Sequence, residues 1–476
     1  MSVRALVTLL VAVTLLTSAC EQKPDNAQHV ERLRALTTTA PSWVGNDALA
    51  RRLWRIERTF YEQRGYMPAW VDGDRTTPQW KDLVQQLKYS ERHGVDPEKY
   101  HIAEFEQLRE RSQTRTSGTR FPLDRVPEMD AKMTFAYLRY AADLLGWDEN
   151  PKAIYANWIV PPRKEDLASG LADAVSKGAV RDALEALAPT HRQYKGLQAA
   201  LALERQNPTG HADQIRMNME RWRWAPHDLG GRYVLVNVPA YQMQVMEGDT
   251  SVLAMRVIVG KPDAPTPLFS DKMTYLVFSP YWNIPPDILK NEALPHLAKD
   301  PDWLQRNNME VVGTKGDVVD ASAVDWSDEK ELNSVRIRQA PGPENALGLV
   351  KFIFPNNFSV YLHDTPTDSL FAKDRRALSH GCIRVEQPVA LAHYVMSDRP
   401  EWTPERISTA MHADEEKTVK LKSPIPVHIG YWTAWVGPDG KTVTYTDDPY
   451  GIDARQLQLI KEGRTTQLRP TTAPQP

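Results

Sequence analysis

The chain has 476 residues, of which 41% are hydrophobic and 25% are charged, and its formal net charge at pH 7 is -3. This length accommodates two or three domains that each bury a hydrophobic core. Lys and Arg residues are scattered rather than clustered, which excludes an extended polyanion-binding face, so nucleic acid is not an expected partner.

The amino terminus has the pattern of an export signal. Arg4 precedes an apolar run over residues 5–19 that ends in small residues just before Cys20. A membrane-spanning helix needs about 20 apolar residues, so this shorter run favours a cleaved signal peptide over residues 1–19. Ordinary secretion and an uncleaved anchor are the alternatives, and each of them also places the mature protein outside the cytoplasm.

The next segments predict a tether and then a helical domain. Residues 20–43 are polar, include Pro41 and need no fixed structure, as expected for a tether. Over residues 44–206 apolar residues recur at helical spacing, which predicts an all-helical domain whose aromatic residues pack in its core. One run with this spacing is Ala131, Phe135, Leu138, Ala142 and Leu145.

A different pattern begins where Asn207 to Gly210 interrupt the helices. Residues 207–450 contain short, Val-rich segments between turn residues, which predicts a mainly antiparallel β domain and makes the fold class α+β. The predicted strands are residues 233–238, 242–247, 252–259, 275–278, 350–354, 359–363 and 427–435.

Two further segments lie outside this strand pattern. Residues from about 292 to 348 are mixed and charged, and an irregular insertion of this length is typical of a lid or binding loop. Residues 451–476 form a C-terminal segment, and its polar, Pro-rich tail from residue 465 onward is expected to be disordered.

The chemistry is concentrated around Cys382, which follows Ser379, His380 and Gly381. The chain has only one other cysteine, Cys20, and an exported protein keeps a solitary thiol either as a buried hydrophobe or for its reactivity. Gly381 lets a substrate carbonyl approach the backbone, and the N–H groups of Gly381 and Cys382 are natural donors to an oxyanion. These neighbours favour a nucleophilic thiol.

A nucleophilic thiol needs a base, because a free thiol with a pKa of ~8.5 is mostly protonated at neutral pH. His380 is too close in the chain to reach Cys382 easily, whereas His363 lies on a preceding predicted strand and can face Cys382 across the sheet. We therefore predict His363 as the base. Arg384 shares the strand face of Cys382 and can hold a substrate carboxylate, which indicates an acidic peptide substrate.

These residues resemble the signature of the YkuD-type L,D-transpeptidases: His363, a gap of fifteen residues, and then Ser379-His380-Gly381-Cys382. Arg384 stands where smaller members have Asn, as it does in the large, scaffold-bearing subclass. That subclass usually has a separate peptidoglycan-binding domain, and here only residues 206–214 occupy its place. Similarity to the subclass extends over residues 60–61, 65–66, 68–70, 93–95, 218–224, 280–285, 361–366 and 433–435.

The resemblance implies a two-step acyl transfer on peptidoglycan stem peptides. Cys382 would attack the bond between diaminopimelate and D-Ala of a tetrapeptide stem, and the resulting thioester would pass to the side-chain amine of a second stem, forming a 3→3 cross-link. His363 would move the proton, with its other ring nitrogen oriented by a backbone carbonyl. The insertion would close over the stem as the family's capping segment and limit access of water to the thioester.

The remaining implied contacts complete the expected site. Substrate contacts would come from Arg384, His380, Tyr361, Trp282 and Ser379. Carbapenems are expected covalent inhibitors, because their strained amide presents the same electrophile to the thiol. The sequence contains no zinc-binding pattern, and no cofactor and no metal are expected.

The residues before Cys20 resemble a bacterial lipobox, which implies a lipid on Cys20 and a periplasmic protein held at the inner or outer membrane. Two other functions remain open on the sequence alone. The same acyl-enzyme could serve L,D-carboxypeptidase activity, D-amino-acid exchange or lipoprotein attachment. Alternatively, the chain could be a non-catalytic wall-binding lipoprotein that scaffolds other wall synthases.

Overall fold

A computed structural model describes residues 27–73, 75–113, 124–300 and 302–463 of the chain. The expected signal peptide, Cys20 and the expected disordered tail from residue 465 onward lie outside these described residues. None of the helices in the described ranges is long and apolar enough to span a membrane.

The amino-terminal half consists of helices around one apolar core. They are α1 (Ala27–Leu36), α2 (Ala48–Gln63), α3 (Pro78–Lys88), α4 (Ile102–Gln113), α5 (Val126–Leu144), α6 (Pro151–Ile154), α7 (Leu167–Lys177), α8 (Val180–Leu187), α9 (Arg192–Gln206) and α10 (Ala212–Trp224). Apolar and small residues cover most faces of α5, so it is buried on nearly all sides. Its buried Asp130 accepts hydrogen bonds from the backbone N–H groups of Ala69 and Trp70 at 2.8 and 2.7 Å.

This half differs from the sequence prediction in two places. The predicted tether is wrong for residues 27–36, which form α1 and bury His29 and Leu33 at i, i+4 spacing. The predicted all-helical domain also contains three short strands, β1 (Val71–Asp72), β2 (Arg75–Thr76) and β3 (Trp158–Ile159). Two-residue strands carry no periodicity of their own, so only their pairing partners in the fold define them.

The carboxyl-terminal half contains the remaining strands and short helices. The strands are β4 (Arg232–Asn237), β5 (Gln242–Glu247), β6 (Thr250–Gly260), β7 (Leu268–Phe278), β8 (Trp282–Asn283), β9 (Met309–Gly313), β10 (Val318–Val319), β11 (Val335–Gln339), β12 (Val350–Ile353), β13 (Leu362–His363), β14 (Ala377–Ser379), β15 (Ile383–Val385), β16 (Lys417–Gly430), β17 (Ala434–Val436) and β18 (Val443–Tyr445). The helices are α11 (Pro286–Ile288), α12 (Leu294–Leu297), α13 (Trp303–Arg306), α14 (Glu329–Ser334), α15 (Pro388–Val395), α16 (Pro404–Met411) and α17 (Ile452–Lys461).

The main sheet follows the order β12-β13-β15-β6-β5-β4-β16-β7-β3, and β14 pairs with β6. Because β12 also pairs with β7, the path from β12 to β7 closes on itself around an apolar core. Most neighbours are antiparallel, which confirms the predicted α+β class, although β13 and β15 pair in parallel. The predicted strand at residues 427–435 is two strands, since β16 ends at Gly430 and β17 begins at Ala434.

The helical and β-rich halves interlock. β3 from the helical half pairs in parallel with β7 of the main sheet. The helical region also extends past the predicted boundary at residue 206 into α10, whose buried Arg221 donates to the carbonyl of Tyr431 at 3.3 Å and pairs with Asp453 at 2.6 Å. A buried guanidinium requires such partners, so α10 anchors one half to the other.

The predicted irregular insertion at about 292–348 is instead a folded unit with its own sheet. The strand order of this sheet is β10-β9-β11-β8. Because β8 pairs with β11, the unit begins at Trp282 and not at about residue 292. Leu297, Leu304, Val311, Val324 and Ile337 form its small core. We call residues 282–339 the cap. Its two ends are tied together, because the side-chain amide of Asn345 donates to the carbonyls of Pro280 and Ala340 at 3.0 and 2.9 Å.

Candidate active site

The parallel pairing of β13 with β15 brings the predicted catalytic residues to one place. In this register Leu362 lies beside Ile383 and His363 lies beside Arg384. One residue earlier, the N–H of Ile383 donates to the carbonyl of Tyr361 at 3.1 Å. Side chains alternate along a strand, so Tyr361, His363, Cys382 and Arg384 share one face of the pair.

The turn before Cys382 is held by two hydroxyl groups. Ser379 Oγ donates to the carbonyl of Cys382 at 2.5 Å and accepts from the N–H of Gly381 at 3.1 Å. Thr266 Oγ1 donates to the carbonyl of Gly381 at 2.8 Å. Gly381 has φ +114, a conformation that side chains rarely adopt, so the residue is required by the turn.

Two residues with predicted roles already have hydrogen-bond partners in this turn. The N–H of Gly381 donates to Ser379 Oγ, and it would have to exchange this partner to act as the predicted oxyanion donor. Ser379 was predicted as a substrate contact; it lines the cavity, but its hydroxyl is committed to holding the turn. Ser379 and Gly381 are close in the sequence, but only the folded turn shows that the Ser379 hydroxyl bonds to the backbone of this turn.

The Cys382 thiol is half-buried and lies against Tyr361. Burial raises the pKa of Cys382 above its ordinary value, and this effect exceeds the lowering of the pKa by hydrogen bonds from the Tyr361 backbone and hydroxyl and by the charge of Arg384. The same burial, together with the sulfur, raises the pKa of Tyr361. Tyr361 therefore presents a neutral phenol, and the resting thiol is protonated at neutral pH.

His363 is buried and oriented by the backbone. Its Nδ1 lies 2.6 Å from the carbonyl of Asp364, and a carbonyl can only accept, so Nδ1 carries the hydrogen. Burial lowers the pKa of His363 to about 3, with the positive charge of Arg384 as the next cause. The neutral ring therefore keeps its lone pair on Nε2, the protonation state that a base requires.

The predicted pair of Cys382 and His363 shares one face, but no hydrogen bond joins the sulfur to the ring in this part of the described chain. The rings of Tyr361 and His363 meet edge to face, with centroids 5.7 Å apart, and Tyr361 contacts the sulfur instead. The resting arrangement is thus a neutral thiol beside a neutral imidazole and not a preformed ion pair.

A glycine in the loop between the cap and β12 helps to position His363, which sequence patterns did not reveal. Gly348 has φ +59, and a Cβ there would lie 2.4 Å from the carboxylate of Asp364. That carboxylate accepts from the N–H groups of Leu349 and Thr365 at 2.8 and 2.7 Å. The loop is thereby pinned so that the carbonyl of Leu347 also faces the His363 ring and raises its pKa.

Arg384 has unused hydrogen-bonding capacity. Its Nη1 donates to Thr367 Oγ1 at 3.4 Å, while its buried Nε has no hydrogen-bond partner in the ranges that the structure describes. Burial lowers the pKa of Arg384, although a guanidinium remains charged at neutral pH. A buried, unpaired donor on a cation is the arrangement that a carboxylate would satisfy.

A cavity of about 480 Å³ lies between the cap and this strand pair. Every predicted catalytic or substrate-contact residue except Gly381 lines it, including Trp282 from the cap. His380 Nε2 donates to the carboxylate oxygen Oε1 of Glu292 at 2.7 Å, which joins the motif to the cap. The sequence analysis missed these other polar lining residues: Lys261, Asp263, Asp287, Asn291, Glu292 and Ser359.

In the described ranges, no three His, Cys, Asp or Glu side chains are placed to hold a metal ion. The chemical groups of the cavity are a thiol, an imidazole, a phenol and a guanidinium. Together they fit a nucleophilic attack on an acyl substrate that carries a carboxylate.

Comparison with known proteins agrees with this chemistry. Residues 231–429 match an L,D-transpeptidase catalytic domain, and residues 57–201 match a scaffold domain. A protein of Haemophilus influenzae that is provisionally named an L,D-transpeptidase is 31% identical over 331 residues, covering 67% of this chain and 66% of the relative. The match therefore spans slightly less than two thirds of that relative's length.

Two solved structures also show a partial likeness. An L,D-transpeptidase from Mycobacterium smegmatis is 14% identical, with 42% of this chain and 58% of that chain covered and a TM-score of 0.20. An L,D-transpeptidase in complex with imipenem is 12% identical, with the same coverage values of 42% and 58% and a TM-score of 0.19. At these TM-scores the likeness does not define the arrangement of this chain.

The raised pKa of Cys382 leads to a pH prediction. Alkylation by iodoacetamide requires the thiolate, so its rate should rise through a midpoint above the ~8.5 of a free thiol. Arg384→Gln removes a charge that lowers this pKa, and the midpoint should move further upward. Mass spectrometry of samples quenched at successive times measures the alkylation rate. Cys382→Ser is measured in parallel, so that any reaction of Cys20 can be subtracted.

His363→Gln is the matched comparison, because the structure gives no electrostatic effect of His363 on the pKa of the thiol. Its midpoint should stay close to that of the unmodified protein. A midpoint below 8 in the unmodified protein, abolished by His363→Gln, would reveal a preformed thiolate–imidazolium pair and contradict the neutral resting state.

Proposed function

This chain belongs to the L,D-transpeptidase family, and on that basis we propose that it transfers acyl groups between peptidoglycan stem peptides to form 3→3 cross-links. The observation that carries the proposal is the shared face of Tyr361, His363, Cys382 and Arg384 at the floor of a covered cavity. Cys382 is the nucleophile, and it attacks the carbonyl of the bond between diaminopimelate and D-Ala.

Substrate binding prepares the base. The carboxylate of the stem binds Arg384, whose buried Nε has no hydrogen-bond partner among the described residues. Neutralising this guanidinium removes the main charge that lowers the pKa of His363, so the ring becomes more basic when substrate is present. The proton of the thiol then passes to Nε2 as the sulfur attacks, and this coupling suits a thiol that is not ionised beforehand.

The acyl transfer then proceeds in two balanced steps. The C–S bond forms as the C–N bond to D-Ala breaks, and His363 returns its proton to the departing amine. An amine of a second stem attacks the thioester, the C–S bond breaks, and the proton released by the nitrogen returns to the sulfur. The hydroxyl of Tyr361 contacts the sulfur and stabilises its negative charge during both steps.

The cap favours an amine over water as the acceptor. It covers the cavity with a folded sheet rather than a loose loop, and excluding water lengthens the life of a thioester. This supports cross-linking over the carboxypeptidase alternative.

The test is the product of a purified reaction. With disaccharide-tetrapeptide as substrate, we expect a dimer that has lost one D-Ala, and Cys382→Ala should lower its rate of formation on the order of 10³-fold or more. Mass spectrometry identifies the products. Formation of tripeptide without dimer would show that the enzyme hydrolyses the stem and does not cross-link it. Unchanged substrate after incubation with the unmodified protein would contradict catalysis and favour the scaffold function.

Carbapenems provide a second test of the nucleophile. Their strained amide is an acyl donor for a thiol, and a solved L,D-transpeptidase is known in complex with imipenem. We expect the intact mass of this protein to increase by one carbapenem, with the adduct on the peptide that contains Cys382. Cys382→Ala should show no increase, and an adduct on that variant would place the reaction at another residue.

The location remains a proposal from the amino-terminal sequence. We propose that the chain is exported to the periplasm and tethered by a lipid on Cys20, which lies outside the described residues. Metabolic labelling with a fatty acid should mark the native protein, and Cys20→Ala should lose both the label and the membrane association. Equal labelling of the two proteins would exclude Cys20 as the lipid attachment site.

A further inference from the structure

Charged residues from two parts of the fold line the cavity that contains Cys382. Arg384 comes from the same strand pair as Cys382. The other charged lining residues are Asp287 and Glu292 of the cap, and Lys261 and Asp263 of the loop that starts at Lys261. The N–H of Lys261 donates to the carbonyl of Ser379 at 2.8 Å.

These four residues outside the strand pair have an excess of negative charge. Lys261 Nζ lies 3.6 Å from Asp263, so the one lysine is already paired with one of the three carboxylates. The described structure contains no ion pair between Asp287 or Glu292 and a Lys or Arg side chain. Carboxylates without a Lys or Arg partner would attract a cationic ligand group.

Glu292 is the better placed of the two carboxylates. His380 Nε2 holds its Oε1 at 2.7 Å, and its side chain is 49% exposed, so the group is fixed without being sealed from the cavity. Glu292 also lies in a π-helical turn, Leu289–Ala293, and such turns occur frequently at functional sites. Hydrogen bonding to His380 uses one oxygen and leaves Oε2 available.

In the proposed reaction the acceptor stem carries a positive charge that these carboxylates can bind. An alkyl amine has a pKa of about 10.4 and is mostly ammonium at neutral pH, so the acceptor stem reaches the cavity as a cation. In the proposed function the donor stem binds Arg384 through its carboxylate, and this guanidinium has an unpaired Nε. The cavity thus offers a cation for the donor stem and carboxylates for the acceptor stem.

We infer that Glu292, held in place by His380 and supported by Asp287, binds the ammonium group of the acceptor stem and directs the thioester toward an amine. This inference rests on the proposed function and adds to it the residues that select the acceptor. Glu292 acts by binding the ammonium form, which raises the local concentration of the acceptor next to the acyl group; the ammonium then releases one proton to solvent, and the free amine attacks the thioester. The motif histidine is thus a positioning residue rather than a second base.

The experiment compares acceptors of different charge on one acyl-enzyme. Tetrapeptide serves as donor, and either the tetrapeptide amine or hydroxylamine, which is uncharged at neutral pH, serves as acceptor. Dividing the two product yields cancels any change in acylation. Glu292→Gln should lower the ratio of dimer to hydroxamate about two- to fivefold, as expected for a partly exposed ion pair, and Glu292→Lys should lower it further.

Salt and a control variant separate charge from structural damage. The effect of Glu292→Gln should shrink at about 1 M NaCl, where the screening length is about 3 Å. Glu329→Gln is the matched control, because Glu329 is an exposed glutamate of the cap that does not line the cavity. Circular dichroism verifies that each variant is folded.

The outcomes distinguish this inference from the proposed function. If the unmodified protein forms hydroxamate and dimer but both Glu292 variants keep the same product ratio, the acceptor assignment is wrong while the transpeptidase function stands. Equal losses in Glu329→Gln and Glu292→Gln would also overturn the assignment. If the unmodified protein releases no D-Ala with either acceptor, the proposed function itself fails.

Discussion

The parallel pairing of β13 with β15 is the constraint on which the candidate active site depends. It sets His363 beside Arg384, and by alternation it sets Tyr361 beside Cys382. A shift of the register by one residue would turn one set of side chains toward the core and separate the thiol from the other three groups. The antiparallel neighbours β12 and β6 hold the pair on both sides, so this register is fixed by the whole sheet.

Burial dominates the electrostatics of the site. It raises the pKa of Cys382 and lowers that of His363, so both groups rest in their neutral forms. Arg384 acts on both, because its charge lowers both pKa values. A guanidinium that is shared in this way links recognition of a substrate carboxylate to the proton affinity of the base, without any movement of the backbone.

The cap and the helical half surround this site in different ways. The helical half contributes β3 to the main sheet and anchors α10 through Arg221, so it is continuous with the catalytic domain rather than loosely linked. The cap has its own small core and meets the catalytic motif through Glu292 and His380. One half therefore stabilises the sheet, whereas the cap supplies polar groups to the cavity.

The amino-acid chain alone was sufficient to propose the reacting groups, because the motif around Cys382 is contiguous and His363 lies on a predicted strand that precedes it. It also predicted the order of a helical and a β-rich half, since helical and strand periodicities are local properties. Folding decided the contacts between distant segments: Tyr361 against the sulfur, Ser379 on the N–H of Gly381, and Gly348 against Asp364. Glu292 is 88 residues from His380 in the chain, and no local pattern specifies such a pair, because only the packing of the cap against the sheet brings the two together.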